Sequence, residues 1–199
     1  AASFDEIVAD PRLFDFAQRG GAAAFKLHCV QCHGSGAEGS QEYGYPNLND
    51  DAWLWGGSHD AILYTIAHGV RNDTDPRART SLMPAYGVNG LLSRNQIGDV
   101  AEYVLSLSGR EHDEARAEAG QAIYAQQCAA CHGPEGKGQP ILGAPNLTDA
   151  IWLYGGARDA IVAQVTNPQH GVMPAWGGRL DDATLKKLAV YVHALGGGQ

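Results

Sequence analysis

The chain has 199 residues, 26 glycines and a formal net charge of −8. That length suits one large domain or two small ones, and so much glycine makes a loop-rich protein with a thin core. The acidic balance disfavours nucleic acid, and no apolar run is long enough to span a bilayer. Residues 1–112 hold 14 acidic and 8 basic side chains against 8 and 6 in 113–199. An acidic face on the first half would favour a basic protein partner. The chain opens at Ala1 with no start methionine and no visible signal peptide, so any membrane anchor is expected in a preceding segment.

In chain order, residues 1–12 read as a lead-in. Phe14 to Val30 carries apolar residues at helical spacing and runs into Cys29-Val30-Gln31-Cys32-His33. Ser58 and Asp60 start a short helix through Ala67. Arg71 to Ser81, with Asp75-Pro76 and three arginines, reads as a surface loop. Ser93 to Gln96 is a capping box opening a helix to Leu107, with Ile97, Val100, Ala101 and Val104 on one face. Gly109–Glu114, rich in charge, reads as an interdomain linker. Ala115 to Ala129 leads into Cys128-Ala129-Ala130-Cys131-His132. A short helix is expected over 157–165, and another from Asp181 or Asp182 through Val192. The tail Gly196-Gly197-Gly198 is expected to fray, and no strand alternation is present.

The chain repeats itself. An offset of 99 aligns Cys29 with Cys128, Pro46-Asn47-Leu48 with Pro145-Asn146-Leu147, and Trp53-Leu54 with Trp152-Leu153. The offset falls to 90 at Met83-Pro84-Ala85 and Met173-Pro174-Ala175, which puts an insertion in the first copy between Arg71 and Ser81. Two homologous, mostly helical domains are expected, over 1–110 and 111–199.

All four cysteines lie in two C-x-x-C-H motifs, the pattern that attaches a c-type haem. Two thiols three positions apart, on one helical turn, can each form a thioether to a haem vinyl group. The histidine that follows, His33 or His132, then reaches the iron. A structural zinc site would bring its two pairs closer in sequence, and a dithiol redox site would need a βαβ context and leaves the histidine unexplained. The second axial ligand decides the chemistry: an open position permits peroxide work, and a thioether makes an electron carrier. The chain has only Met83 and Met173, at the same repeat position, each followed by proline. Flexible core filler predicts no such symmetry. His28, His68 and His170 are the alternative ligands. Pro46 and Pro145 are expected to offer carbonyls to the histidines' other ring nitrogens. Trp53, Trp55, Trp152 and Tyr154 are expected to pack on haem edges or propionates, or in ordinary core.

The order C-x-x-C-H, Pro-Asn-Leu, Met-Pro resembles class I c-type cytochrome domains. The stretches YPNLNDDAWLWGG (45–57), APNLTDAIWLYGG (144–156), VMPAWGGRLDDATLKKLAVYVHALGGG (172–198) and EYVLSLSGREHD (102–113) look like the diheme subunit, of the CcoP/FixP type, of cbb3-type cytochrome c oxidases. That resemblance implies an all-α fold of two tandem class I cytochrome c domains around two covalent haem c groups. It implies His33 with Met83 on one iron and His132 with Met173 on the other. It also implies a periplasmic electron-transfer subunit without a catalytic centre, anchored to the inner membrane through a preceding segment. Such a subunit passes electrons from donor cytochromes c through the monohaem subunit to the haem–copper catalytic subunit. A freestanding diheme shuttle of the cytochrome c4 kind and a diheme peroxidase are the competing readings.

Overall fold

The computed structural model describes residues 2–196. Among these the architecture is all-α, with isolated β-bridges and no strand. The helices are α1 (Phe4–Ala9), α2 (Pro11–His28), α3 (Val30–His33), α4 (His59–His68), α5 (Arg94–Leu107), α6 (Glu114–Gln127), α7 (Ala129–His132), α8 (Arg158–Thr166) and α9 (Asp182–His193). Their starts are chemically marked. Asp10 accepts from Arg12 N–H with proline opening α2, Ser58 caps α4, and Ser93 and Gln96 close a capping box on α5. Asp181 caps α9. The lead-in contributes the unexpected helix α1, opened by a Ser3–Glu6 capping box.

The chain packs into two compact units that cut across the repeats. One combines the residues up to Thr80 with those from Gly171 onward; the other is Ser81–His170. The expected division at 110 and 111 follows the repeat, and the packing regroups it. In the split unit, α2 lies along α9, and α4 packs on α9 as well. Ala24 and Phe25 of α2 meet Leu185, Leu188, Ala189 and Val192 of α9 and Ile62 and Ile66 of α4. In the contiguous unit, α5 lies along α6 and contacts α8, with Ile97, Val100, Ala101, Val104 and Leu105 facing Tyr124, Ile161 and Val165. The N-terminal helix of each repeat thus takes the C-terminal helix of the other.

The physical reason is the connection between α5 and α6. Only residues 108–113 join them, and so short a link makes antiparallel neighbours. Gly109–Glu114 is therefore a structured hairpin turn inside one unit, correcting its reading as an interdomain linker. Arg110 N–H donates to the Leu105 carbonyl (3.0 Å), and Asp113 N–H donates to the Glu102 carboxylate (2.9 Å). Glu102 is 2 % exposed and also takes the guanidinium of Arg158 on α8 (2.9 Å). With α6 committed to α5, α2 is left to α9. Glycines at one repeat position mark both crossings. A Cβ on Gly21 would lie 2.2 Å from the Lys187 carbonyl oxygen, and one on Gly120 2.1 Å from that of Asp99.

The regrouping also evens the charge. The split unit holds 13 acidic and 9 basic residues and the contiguous unit 9 and 5, a net of −4 each. The acid excess of the first half is thereby shared between units. At the tail, Gly196 is buried in a turn, where a Cβ would meet the Asp50 carbonyl at 2.2 Å. The remaining glycines of the expected frayed end lie outside the described residues.

Candidate functional site: two haem pockets

Each C-x-x-C-H motif sits at a break between two helices. In the split unit Cys29 ends α2, its N–H donating to the Phe25 carbonyl, and the single turn α3 carries Cys32 and His33. In the contiguous unit Cys128 ends α6, and α7 carries Cys131 and His132. None of the four thiols is in a disulfide. Burial, helped by the neighbouring thiol, pushes Cys29 and Cys128 up to about 11, which keeps both protonated in apolar surroundings.

A tight loop then returns a carbonyl to the histidine. Gly39 N–H donates to the His33 carbonyl (2.8 Å), and Ser40 pairs with Tyr45. Gly39 has φ +68, and a Cβ there would sit 2.3 Å from the Tyr45 carbonyl oxygen and 2.5 Å from the Pro46 carbon. Only glycine lets the chain pass so closely. The loop delivers the Pro46 carbonyl to 3.1 Å from His33 Nδ1. Gly138, φ +76, does the same in the second motif, and the Pro145 carbonyl lies 3.0 Å from His132 Nδ1. Each Nδ1–H is thus engaged, which leaves Nε2 with a free lone pair for a metal. Burial holds both imidazoles below the ordinary histidine range, partly opposed by these hydrogen bonds, so both stay neutral.

The methionines are placed crosswise. Met173 packs against the apolar cluster that also takes Cys29 and Trp53, and Met83 against the one that takes Cys128, Leu147 and Trp152. This places Met173 on the cluster of the Cys29 motif and Met83 on that of the Cys128 motif, a grouping other than the expected His33 with Met83 and His132 with Met173. The chain passes from one unit to the other at Thr80–Ser81 and His170–Gly171, just before each Met-Pro-Ala. The insertion loop is more than surface. Val70 exchanges two backbone hydrogen bonds with Met173 (3.0 and 2.9 Å), and the Asn72 amide donates to the Met173 carbonyl (3.1 Å).

The alternative ligands each have a neighbour in the structure. His68 Nδ1 is 2.7 Å from the Asp75 carboxylate, His170 Nε2 accepts the Met83 N–H (3.1 Å), and the His28 ring lies 5.4 Å from that of Trp176.

The residues present fit a haem in each unit. Trp53 Nε1 and the Tyr154 hydroxyl are buried with no hydrogen-bond partner among the described residues. Unpaired buried donors are costly, and haem propionates would satisfy both. An arginine stands beside each of these loops. Arg79 lies over Trp55 and Arg110 over Trp152, each 5.3 Å from the ring. Trp152 differs from Trp53 in donating to the Asp149 carbonyl (3.1 Å). Sequence reasoning missed Asn72, Arg79 and Arg110, which no repeat marks. It also missed Gly21 and Gly120, which the offset of 99 could have flagged.

Fold and site together define a two-haem cytochrome c. Residues 18–108 match the cytochrome c family model, and residues 115–192 match that of cytochrome c oxidase, cbb3-type, subunit III. The chain is 55 % identical over 193 residues to the cbb3-type cytochrome c oxidase subunit CcoP of Cereibacter sphaeroides, covering 97 % of this chain and 66 % of that protein. It is 52 % identical to subunit FixP of Sinorhizobium medicae (99 % and 67 %) and 50 % identical to FixP of Rhizobium meliloti (100 % and 68 %). The chain belongs to this CcoP/FixP family of cbb3-type oxidase subunits and holds two covalently bound haem c groups. It spans about two thirds of the length of the curated relatives it matches.

Proposed function

We propose that this chain carries electrons through two closed haem sites with crossed axial ligands, His33 with Met173 and His132 with Met83. The observation that carries this reading is the sharing of one apolar cluster by Cys29 and Met173 and of another by Cys128 and Met83. Haem c, when bound, supplies a one-electron iron couple whose potential follows its axial ligands and burial. The protein's own residues do the rest. Cys29, Cys32, Cys128 and Cys131 hold the ring covalently, and the Pro46 and Pro145 carbonyls orient the histidines. Pro84 and Pro174 fix the backbone beside each sulfur. Trp53, Tyr154, Arg79 and Arg110 stabilise propionate charge.

In the whole protein the subunit takes electrons from donor cytochromes c and passes them through the monohaem subunit to the haem–copper subunit. It has no catalytic centre of its own. It lies on the periplasmic side of the inner membrane, held there by a segment preceding these residues. No helix among the described residues is long and apolar enough to cross a membrane.

Optical spectra test the ligation. Met83→Ala and Met173→Ala should each lose about half of the methionine-to-iron charge-transfer band, the share of one haem in two. In the ferrous protein the ligand methyl deleted by Met83→Ala should show cross-relaxation to Trp152, and the one deleted by Met173→Ala to Trp53. Contacts the other way round would restore parallel pairing, and an unchanged band would assign that iron another ligand.

A further inference from the structure

Two histidines, His68 and His170, are each followed by Gly-Val, at a spacing that matches neither repeat offset, and they do different work. His68 is bonded to Asp75 inside the insertion loop. That loop lets the split unit hold Met173 through backbone bonds to Val70 and through the Asn72 side chain. The contiguous unit has no insertion at the corresponding place, and Met83 is held differently. Its N–H is the last backbone donor before Pro84, which has none, and it donates to the half-buried Nε2 of His170 (3.1 Å). Four residues later the same segment is tied to the end of α8: Gly87 and Val88 N–H both donate to the Thr166 carbonyl (3.1 Å each).

We infer that His170 is the positioning residue for Met83, fixing the backbone that presents the sulfur to the iron held by His132. This rests on the ligation proposed above. Because Met83 donates, Nε2 is the acceptor and the imidazole is in its Nδ1–H tautomer. The acceptor is a side chain, so a substitution can remove it without disturbing a backbone ladder. The Met173 backbone keeps its two bonds to Val70 even if its one side-chain contact, the Asn72 amide, is removed.

The test is binding of added imidazole to the ferric, haem-loaded protein, since imidazole binds only where methionine leaves. Loss of one hydrogen bond corresponds to roughly a five- to tenfold change in equilibrium. His170→Ala should bind imidazole about five to ten times more tightly at one haem, the one whose charge-transfer band disappears in Met83→Ala. The other haem should be unchanged. His170→Gln places an acceptor oxygen near the original Nε2 and should recover most of the difference. Unchanged affinity in His170→Ala overturns the inference. So does equal tightening at both haems, or a Gln variant as perturbed as Ala, because each marks a general packing effect. If Met83→Ala itself leaves the band intact, the ligation reading has failed, and that result is distinct from the His170 outcomes.

Discussion

Gly120→Ala isolates the helix crossing on which the regrouped fold depends. In a helix interior this change ordinarily stabilises, by about 1 kcal/mol of propensity. Here the new Cβ would lie 2.1 Å from the Asp99 carbonyl oxygen and 2.5 Å from its carbon, where ordinary contact begins near 3.4 Å. Neither neighbour is a side chain able to rotate away, so α6 must retreat from α5 by up to roughly 1.3 Å. A gap that wide forfeits about half or more of the dispersion energy along the contact, and overpacking costs about 1–3 kcal/mol. Taking the upper end for a clash with backbone, the net loss is about 2 kcal/mol. For a unit of this size that lowers the unfolding midpoint by about 8–16 °C. Thermal unfolding of the haem-loaded protein, followed by far-ultraviolet circular dichroism and by the Soret band, measures it. Gly21→Ala should behave alike in the split unit. Gly178→Ala, whose Cβ meets nothing within 4 Å, should stay within about 0.5 kcal/mol of the parent. A midpoint raised in Gly120→Ala and Gly21→Ala, as propensity alone dictates, would refute the crossing.

Two further outcomes follow from packing and charge. Leu188 is 1 % exposed among α2 and α4 residues, so Leu188→Ala should cost about 2–5 kcal/mol in urea titrations and perturb the Cys29 haem before the Cys128 haem. Glu102 is held below the usual carboxylate range, first by Arg158 and then by Asp113 N–H, against the opposing effect of burial. Its stabilisation is therefore present above the unfolded-state value of about 4.3 and fades as pH falls through the lower folded value. The urea midpoints of the parent and Glu102→Gln should differ most at neutral pH and converge in acid; a constant gap would count against the ion pair.

The parts of the site that a short stretch of chain can specify were legible in the sequence. A C-x-x-C-H turn and a proline carbonyl in the loop that follows are local, and His33 and His132 meet Pro46 and Pro145 as their spacing requires. Capping chemistry at Ser58, Ser93 and Asp181 was equally local. Which helix each repeat borrows was not legible. The two C-terminal helices present matched faces, with Ile97, Val100 and Ala101 in the place of Leu185, Leu188 and Ala189. The two N-terminal helices both carry the crossing glycine. Either pairing satisfies the apolar pattern, and only the shortness of residues 108–113 selects between them. The placement of Met83 and Met173 follows from that choice, so spacing from the nearest histidine could not give it. Asn72 and Arg79 escaped notice because the insertion that holds them has no counterpart to compare.

The crossed packing gives the two sites different histories during synthesis. Ser81–His170 is one continuous stretch nested inside the other unit. Its cysteines, histidine and methionine are all available once His132 has emerged. The unit built around Cys29 and Cys32 receives its thiols first and waits longest. Met173 and the partner helix α9 both follow that whole stretch. Closing such distant contacts is slow for an unstructured chain. The expected order of completion is thus the reverse of the order in the sequence: the second motif can close first, and the first waits for α9.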